Sequence, residues 1–179
     1  MRIHPSFAGI RRIRALATRE ELFTAEELLD LTLEIAGQTE LWRPLIRYAT
    51  EARWYEALLV SSALELWLIG WTPGQATPIH DHGGASGALT IATGRLVETA
   101  HAGPCLTRPR RTILDKGTRV HFPPHHIHRV ANEGVVNAAS IHADSPAGLE
   151  MRLYDGSGTP QRVAAGSASD PAYATESGR

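Results

Sequence analysis

Two histidines, His80 and His82, stand two residues apart behind a turn rich in proline and glycine (Pro73, Gly74, Pro78). The run around them has no helical period. In an extended strand alternate side chains share a face, so both imidazoles can reach one metal ion. A second group, His125, His126 and His128, follows further along the chain. Of the nine histidines, all but His4 fall within the stretch from His80 to His142. Imidazole suits Fe, Ni, Cu and Zn alike, so the residue type points to a metal without choosing it.

The rest of the composition narrows the setting. A chain of 179 residues with a hydrophobic fraction of 42% is long and apolar enough for one domain with its own core. Its net charge of −1 gives no global attraction to nucleic acid or an anionic membrane, and neither is expected as a partner. No apolar run reaches the roughly 18 residues of a membrane span, and no signal-peptide pattern precedes Pro5. The one cysteine, Cys105, excludes an internal disulfide framework and fits a reducing cytoplasm. It lies in a Gly-Pro loop without a base partner and is expected to be inert.

The elements that must position these histidines come in two textures. Residues 1–56 read as an N-terminal helical segment, within which residues 1–19 show no clear pattern of their own. Thr24 and Glu27 have the form of a capping box, starting a helix that runs to Gly37. Thr39 is placed to cap a second helix through Tyr48, with Pro44 near its first turn. From Ala57 the pattern changes to short apolar runs: Leu64–Trp71, Gly87–Thr93, Arg95–Thr99, Thr112–Leu114, Arg119–Phe122, His128–Val130, Val136–His142 and Glu150–Tyr154. Glycine and proline turns separate them, and no helical pattern intervenes. An all-β sandwich or barrel over residues 57–155 is therefore expected, with the helices packed on it. Residues 156–179 are rich in Gly, Ala, Ser and Thr and read as a flexible tail.

The histidine stretches also carry two spaced motifs. The first runs from Gly74 through His80-Asp81-His82 to Gly94. The second runs from Gly117 through Pro123 and His128 to Asn132. Both resemble the paired motifs of the cupin family, which implies a double-stranded β-helix, or jelly-roll, barrel with His80, His82 and His128 as metal ligands. The first motif's glutamate has no counterpart, since Ser86 and Gly87 stand there, and His125 replaces a glycine of the second. Three neutral imidazoles would leave a divalent ion its full charge, which suits an anionic ligand such as a thiolate.

The residues around the motifs are similar to a narrower family. W-x-P-G-Q-x-T-P-I-H-D-H-G-G-x-x-G from Trp71, G-R-L-x-E-T from Gly94, H-R-V-x-N from His128 and S-I-H from Ser140 resemble bacterial cysteine dioxygenases. That resemblance implies Fe(II), with Ni, Zn or Mn as alternatives, and oxidation of a small thiol by O2 to its sulfinic acid. It implies a supporting run in which Ser140 and His142 match and Asp144 replaces a tyrosine; these three are the candidate catalytic group. The family's carboxylate-binding arginine aligns with Ala57, which leaves Arg53, Tyr55 and the neighbouring His126 as candidate substrate contacts. Gly87 stands where some animal members carry a cross-linking cysteine. A non-oxidative isomerase or lyase, or a small-molecule-binding cupin, is the rival expectation. The oligomeric state is open between monomer and dimer.

Overall fold

The computed structural model describes residues 1–103 and 107–164, and Cys105 lies outside them. The chain begins with a short strand, β1 (Arg2–Ile3), and the helices α1 (Pro5–Ala8), α2 (Arg11–Thr18), α3 (Ala25–Gly37) and α4 (Thr39–Trp42). Strands follow: β2 (Trp54–Val60), β3 (Glu65–Trp71), β4 (Ile79–His80), β5 (Ser86–Thr93), β6 (Arg95–Ala102) and β7 (Thr107–Asp115). The last are β8 (Arg119–Phe122), β9 (Ile127–Ala131), β10 (Ala138–Ser145), β11 (Met151–Tyr154) and β12 (Pro160–Ala164).

These strands form two facing antiparallel sheets, ordered β1-β2-β3-β10-β5-β8 and β12-β11-β4-β9-β6-β7. This is the jelly-roll architecture that the cupin resemblance implies, and it agrees with the sandwich or barrel expected from the apolar runs. Alternation decides what each strand buries. On β3, Leu66 and Leu68 join the core shared with the helices, whereas Trp67, Ile69 and Trp71 face the space between the sheets. On β10, Ala139, Ile141 and Ala143 likewise join the helix-side core. Both strands are therefore covered on two faces, and each residue's parity assigns it to frame or interior.

Helix α3 covers the outer face of β5, β8 and β10. Its start is the expected capping box: Glu27 N donates to Thr24 Oγ1 at 3.3 Å, and Thr24 N donates to Glu27 Oε2 at 2.8 Å. Leu28, Leu31 and Ile35 are buried against the sheet. A hydroxyl bond from Thr90 to Thr32, 2.9 Å, crosses the same interface.

The structure differs from the sequence reading at three places. Helix α4 ends at Trp42 rather than continuing to Tyr48; Arg43 is still helical in backbone, but Pro44 has no N–H to extend the hydrogen-bond ladder. Residues 2–18, which show no clear pattern in sequence, contain β1, α1 and α2. Residues 160–164, read as part of the tail, form β12 against β11.

Candidate metal centre

Strands β4 and β9 bring the histidines together. His80 and His128 are direct partners in the antiparallel register. His82 follows β4 in the turn that begins at Gly83, whose φ of +62° and close approach to the Glu150 carbonyl both require glycine. The three rings lie with centroids 5.1 Å (His80–His82), 4.7 Å (His80–His128) and 5.2 Å (His82–His128) apart. All three residues are buried, and their nitrogens form a cluster that could hold a metal ion.

Asp81 points the other way, as alternation demands. Its carboxylate accepts from Gly83 N (2.9 Å), Arg152 N (3.0 Å) and the Tyr154 hydroxyl (2.7 Å). The residue between the two histidines thus ties their turn to β11.

The outward nitrogen of each ring meets a nearby acceptor. His80 Nδ1 lies 3.0 Å from the Pro78 carbonyl and His128 Nδ1 lies 2.8 Å from Glu98 Oε1. A carbonyl or carboxylate accepts only from N–H, so these contacts assign both protons to Nδ1 and leave Nε2 as a lone pair. His82 Nδ1 comes within 2.9 Å of Asp144 Oδ1, an ion-pair distance. The contact lies off the hydrogen-bond direction, and neither atom has a hydrogen-bond partner among the described residues.

Burial disfavours protonated imidazole throughout this cluster. It holds His80 well below its ordinary value and pulls His128 down to about 4, against the opposing effect of the hydrogen bond His128 donates to Glu98. Glu98 behaves in the reverse way. Burial alone would raise it, but hydrogen bonds from His126 and His128 outweigh that and hold it below the usual carboxylate range. The site therefore presents neutral rings backed by an ionised carboxylate, the protonation state metal ligands need.

Glu98 was not singled out in sequence, although its inward parity with Leu96 on an apolar strand was a readable signal. It also changes the place of His126. That ring spends Nε2 on Glu98 Oε1 at 2.9 Å and does not line the cavity beside His82. His125 is exposed, and His121 bonds Ser86 Oγ at 2.9 Å.

The candidate catalytic group lies on the inward face of β10. Trp71 Nε1 donates to Ser140 Oγ at 2.9 Å, and Ser140 Oγ lies 2.9 Å from His142 Nε2. Ser140 thus links Trp71 to His142 and fixes the orientation of that ring. Burial lowers the His142 pKa to about 3, so the ring is neutral.

A cavity of about 30 Å³ adjoins these residues, lined by His82, His142, Asp144, Glu65, Trp67 and Met151 among others. Glu65 and Asp144 are direct cross-strand partners of β3 and β10. Glu65 accepts from Trp67 Nε1 at 2.9 Å and from Gly148 N. Burial raises its pKa despite these bonds, with the Asp144 charge adding to the rise.

Arg53, Tyr55 and Ala57 share one parity at the start of β2. Ala57 lies opposite Trp67 in register, and Tyr55 packs edge-on against that ring with centroids 6.1 Å apart. Arg53 is buried, its guanidinium 5.0 Å from the Trp71 ring centre and its Nη1 donating to the Ala76 carbonyl at 2.7 Å. Neither Arg53 nor Tyr55 lines the cavity. At Gly87 an added Cβ would fall 2.0 Å from the Phe122 ring and 2.5 Å from Asp144 Oδ1, so this glycine makes room for both.

Comparison with solved structures supports the architecture. A protein of Thermus thermophilus is 23% identical, with a TM-score of 0.52 over 58% of this chain and 92% of that one. An uncharacterized Klebsiella pneumoniae protein with a double-stranded β-helix domain is 15% identical, with a TM-score of 0.54 over 76% of this chain and 99% of that one. At such identities the likeness shows the fold alone, a double-stranded β-helix. No curated protein matches the chain. A family model described as cysteine dioxygenase type I matches residues 5–157. That span takes in the helices, every strand but β1 and β12, and every residue of the histidine cluster, and the chain belongs to the cysteine dioxygenase type I family.

Proposed function

We propose that this protein is a thiol dioxygenase, holding Fe(II) through His80, His82 and His128 and oxidising a small thiol to its sulfinic acid. The observation that carries the reading is the 3.1 Å separation of His82 Nε2 and His128 Nε2. His128 presents a lone pair there, and His82 would present another in its Nδ1–H tautomer. Two such lone pairs repel unless a cation lies between them. Two nitrogens each about 2.1 Å from one ion at right angles would stand about 3 Å apart, so the cluster fits a metal.

The overall change is balanced: RSH + O2 gives RSO2H, with both oxygen atoms ending on sulfur and no further reductant needed. When bound, iron would supply the redox chemistry that lets the thiol sulfur react with triplet O2. The chain's own residues do the rest. Glu98 and the Pro78 carbonyl fix ring orientation, while Trp67 and Met151 shield the cavity from bulk water. His142 offers a neutral ring on a cavity wall, held in place by Ser140 and Trp71. Arg53 adds a buried positive charge on the inward face of the barrel.

The test is metal analysis of anaerobically purified protein, followed by oxygen uptake and sulfinate detection with cysteine, 3-mercaptopropionate and cysteamine. Iron with stoichiometric thiol-dependent uptake supports the reading. Tightly held zinc, nickel or manganese without uptake would overturn it in favour of a non-oxidative or ligand-binding cupin.

A further inference from the structure

Glu65 and Asp144 stand directly opposite each other on β3 and β10, both facing the interior and both lining the cavity beside His82. Facing antiparallel partners have Cα atoms about 4.5–5.5 Å apart, and like charges in that arrangement destabilise a sheet. Here the pair is also largely withdrawn from water, since Glu65 is 5% exposed and the Asp144 side chain 14%. Among the described residues lining the cavity, none is lysine or arginine. Removing carboxylates from water without a cation is costly. Beside Asp144 the wall offers only the His82 ring, whose Nδ1 lies 2.9 Å from Asp144 Oδ1 without forming a hydrogen bond.

We infer that this cavity is an ammonium subsite, and that the thiol it admits carries a positively charged amine and no carboxylate. The inference rests on the thiol-dioxygenase reading for the fate of the sulfur, but the subsite itself stands on the carboxylate pair. Asp144 Oδ1 is buried without a hydrogen-bond partner among the described residues, and so has a lone pair to offer. Glu65 is held in position by Trp67 Nε1 and Gly148 N, and each carboxylate oxygen still has a second lone pair free for an N–H donor. The Trp67 ring on the same wall also suits a cation. A substrate carboxylate would be repelled here, whereas Arg53, which could attract one, does not line the cavity. An aminothiol would then extend from the histidine cluster with its amine toward Glu65 and Asp144.

The experiment has an arm that does not depend on turnover. Binding of ethylammonium and of propionate to the iron-loaded protein is measured by calorimetry, on wild type and on Glu65→Gln and Asp144→Asn. Ethylammonium is expected to bind at least about tenfold more tightly than propionate, and each variant to reduce that preference about tenfold. Propionate binding as well as ethylammonium, or a preference untouched by both variants, would overturn the subsite whatever the activity. In the second arm, kcat/KM for cysteamine should exceed that for 3-mercaptopropionate at least about tenfold, and Glu65→Gln should narrow the gap. Preference for 3-mercaptopropionate overturns the ammonium subsite while leaving the dioxygenase reading in place. Absence of uptake with every thiol defeats the dioxygenase reading, and the calorimetry then still decides the subsite.

Discussion

Glu98 Oε1 lies 2.8 Å from His128 Nδ1, so a buried carboxylate fixes which nitrogen of that ring faces the cluster. Replacing it with glutamine keeps the volume but removes the charge, and leaves an amide that can present either oxygen or N–H to the ring. For Glu98→Gln we expect metal affinity to fall about 10- to 100-fold, as for other outer-shell partners of ligand histidines. Competition with a chelator of known affinity measures this.

The ligand set itself makes a sharper prediction. His82→Ala and His128→Ala should each lower bound metal by at least about tenfold, because two remaining imidazoles hold a divalent ion poorly. Elemental analysis reads the loss, and a far-UV circular dichroism spectrum like the parent's shows that the barrel is retained.

Acid should unfold the metal-free protein earlier than its surface charge would suggest. Buried His128 titrates near 4 and buried His142 near 3, whereas the same rings in an unfolded chain titrate at about 6.5. Below about 6.5 the unfolded state therefore binds more protons than the folded one, and stability falls as pH drops toward 4 and then 3. The loss reaches roughly 3 kcal/mol for His128 alone. Urea midpoints measured from pH 7.5 down to about 4.5 should decline steadily, and a flat series would contradict the burial of neutral rings.

Gly87→Ala should be far more damaging than glycine-to-alanine changes on open strands. The new methyl would overlap the Phe122 ring, at 2.0 Å, and crowd Asp144 Oδ1, at 2.5 Å. Overpacking of this kind costs about 1–3 kcal/mol or more. Thermal unfolding of the variant should show a clear fall in Tm, whereas Gly37→Ala, which meets nothing within 4 Å, should leave Tm nearly unchanged.

Asp81→Ala strands two backbone N–H groups, of Gly83 and Arg152, and the Tyr154 hydroxyl. Each lost partner costs about 1–3 kcal/mol where the donor stays buried. Hydrogen exchange should accelerate at Gly83 and Arg152 before it does so in β3 or β10.

Much of this was legible in the chain. Period-two runs and glycine turns marked most strands, and the paired motifs put His80, His82 and His128 in one place before any coordinates. The misses have physical causes. Helix α2 buries only Ile13 and Ala17 from a run rich in arginine, so its apolar stripe was too thin to read. Strand β12 carries a proline and polar residues, because an edge strand needs little hydrophobic signal once β11 is there to pair with. His126 sits beside His128 in sequence, but only the fold reveals that its Nε2 is committed to Glu98. The Glu65–Asp144 relationship depends on register between strands far apart in sequence, which no local pattern encodes.

Strands β3 and β10 carry frame residues on one face and cavity residues on the other, in strict alternation. Selection acting on Glu65, Trp67, His142 or Asp144 therefore leaves Leu66, Leu68, Ile141 and Ala143 untouched. A lineage can rewrite what the cavity recognises in single steps, each tolerated by an unchanged scaffold. In such a barrel the residues that read the substrate can change without disturbing the frame that holds the histidine cluster.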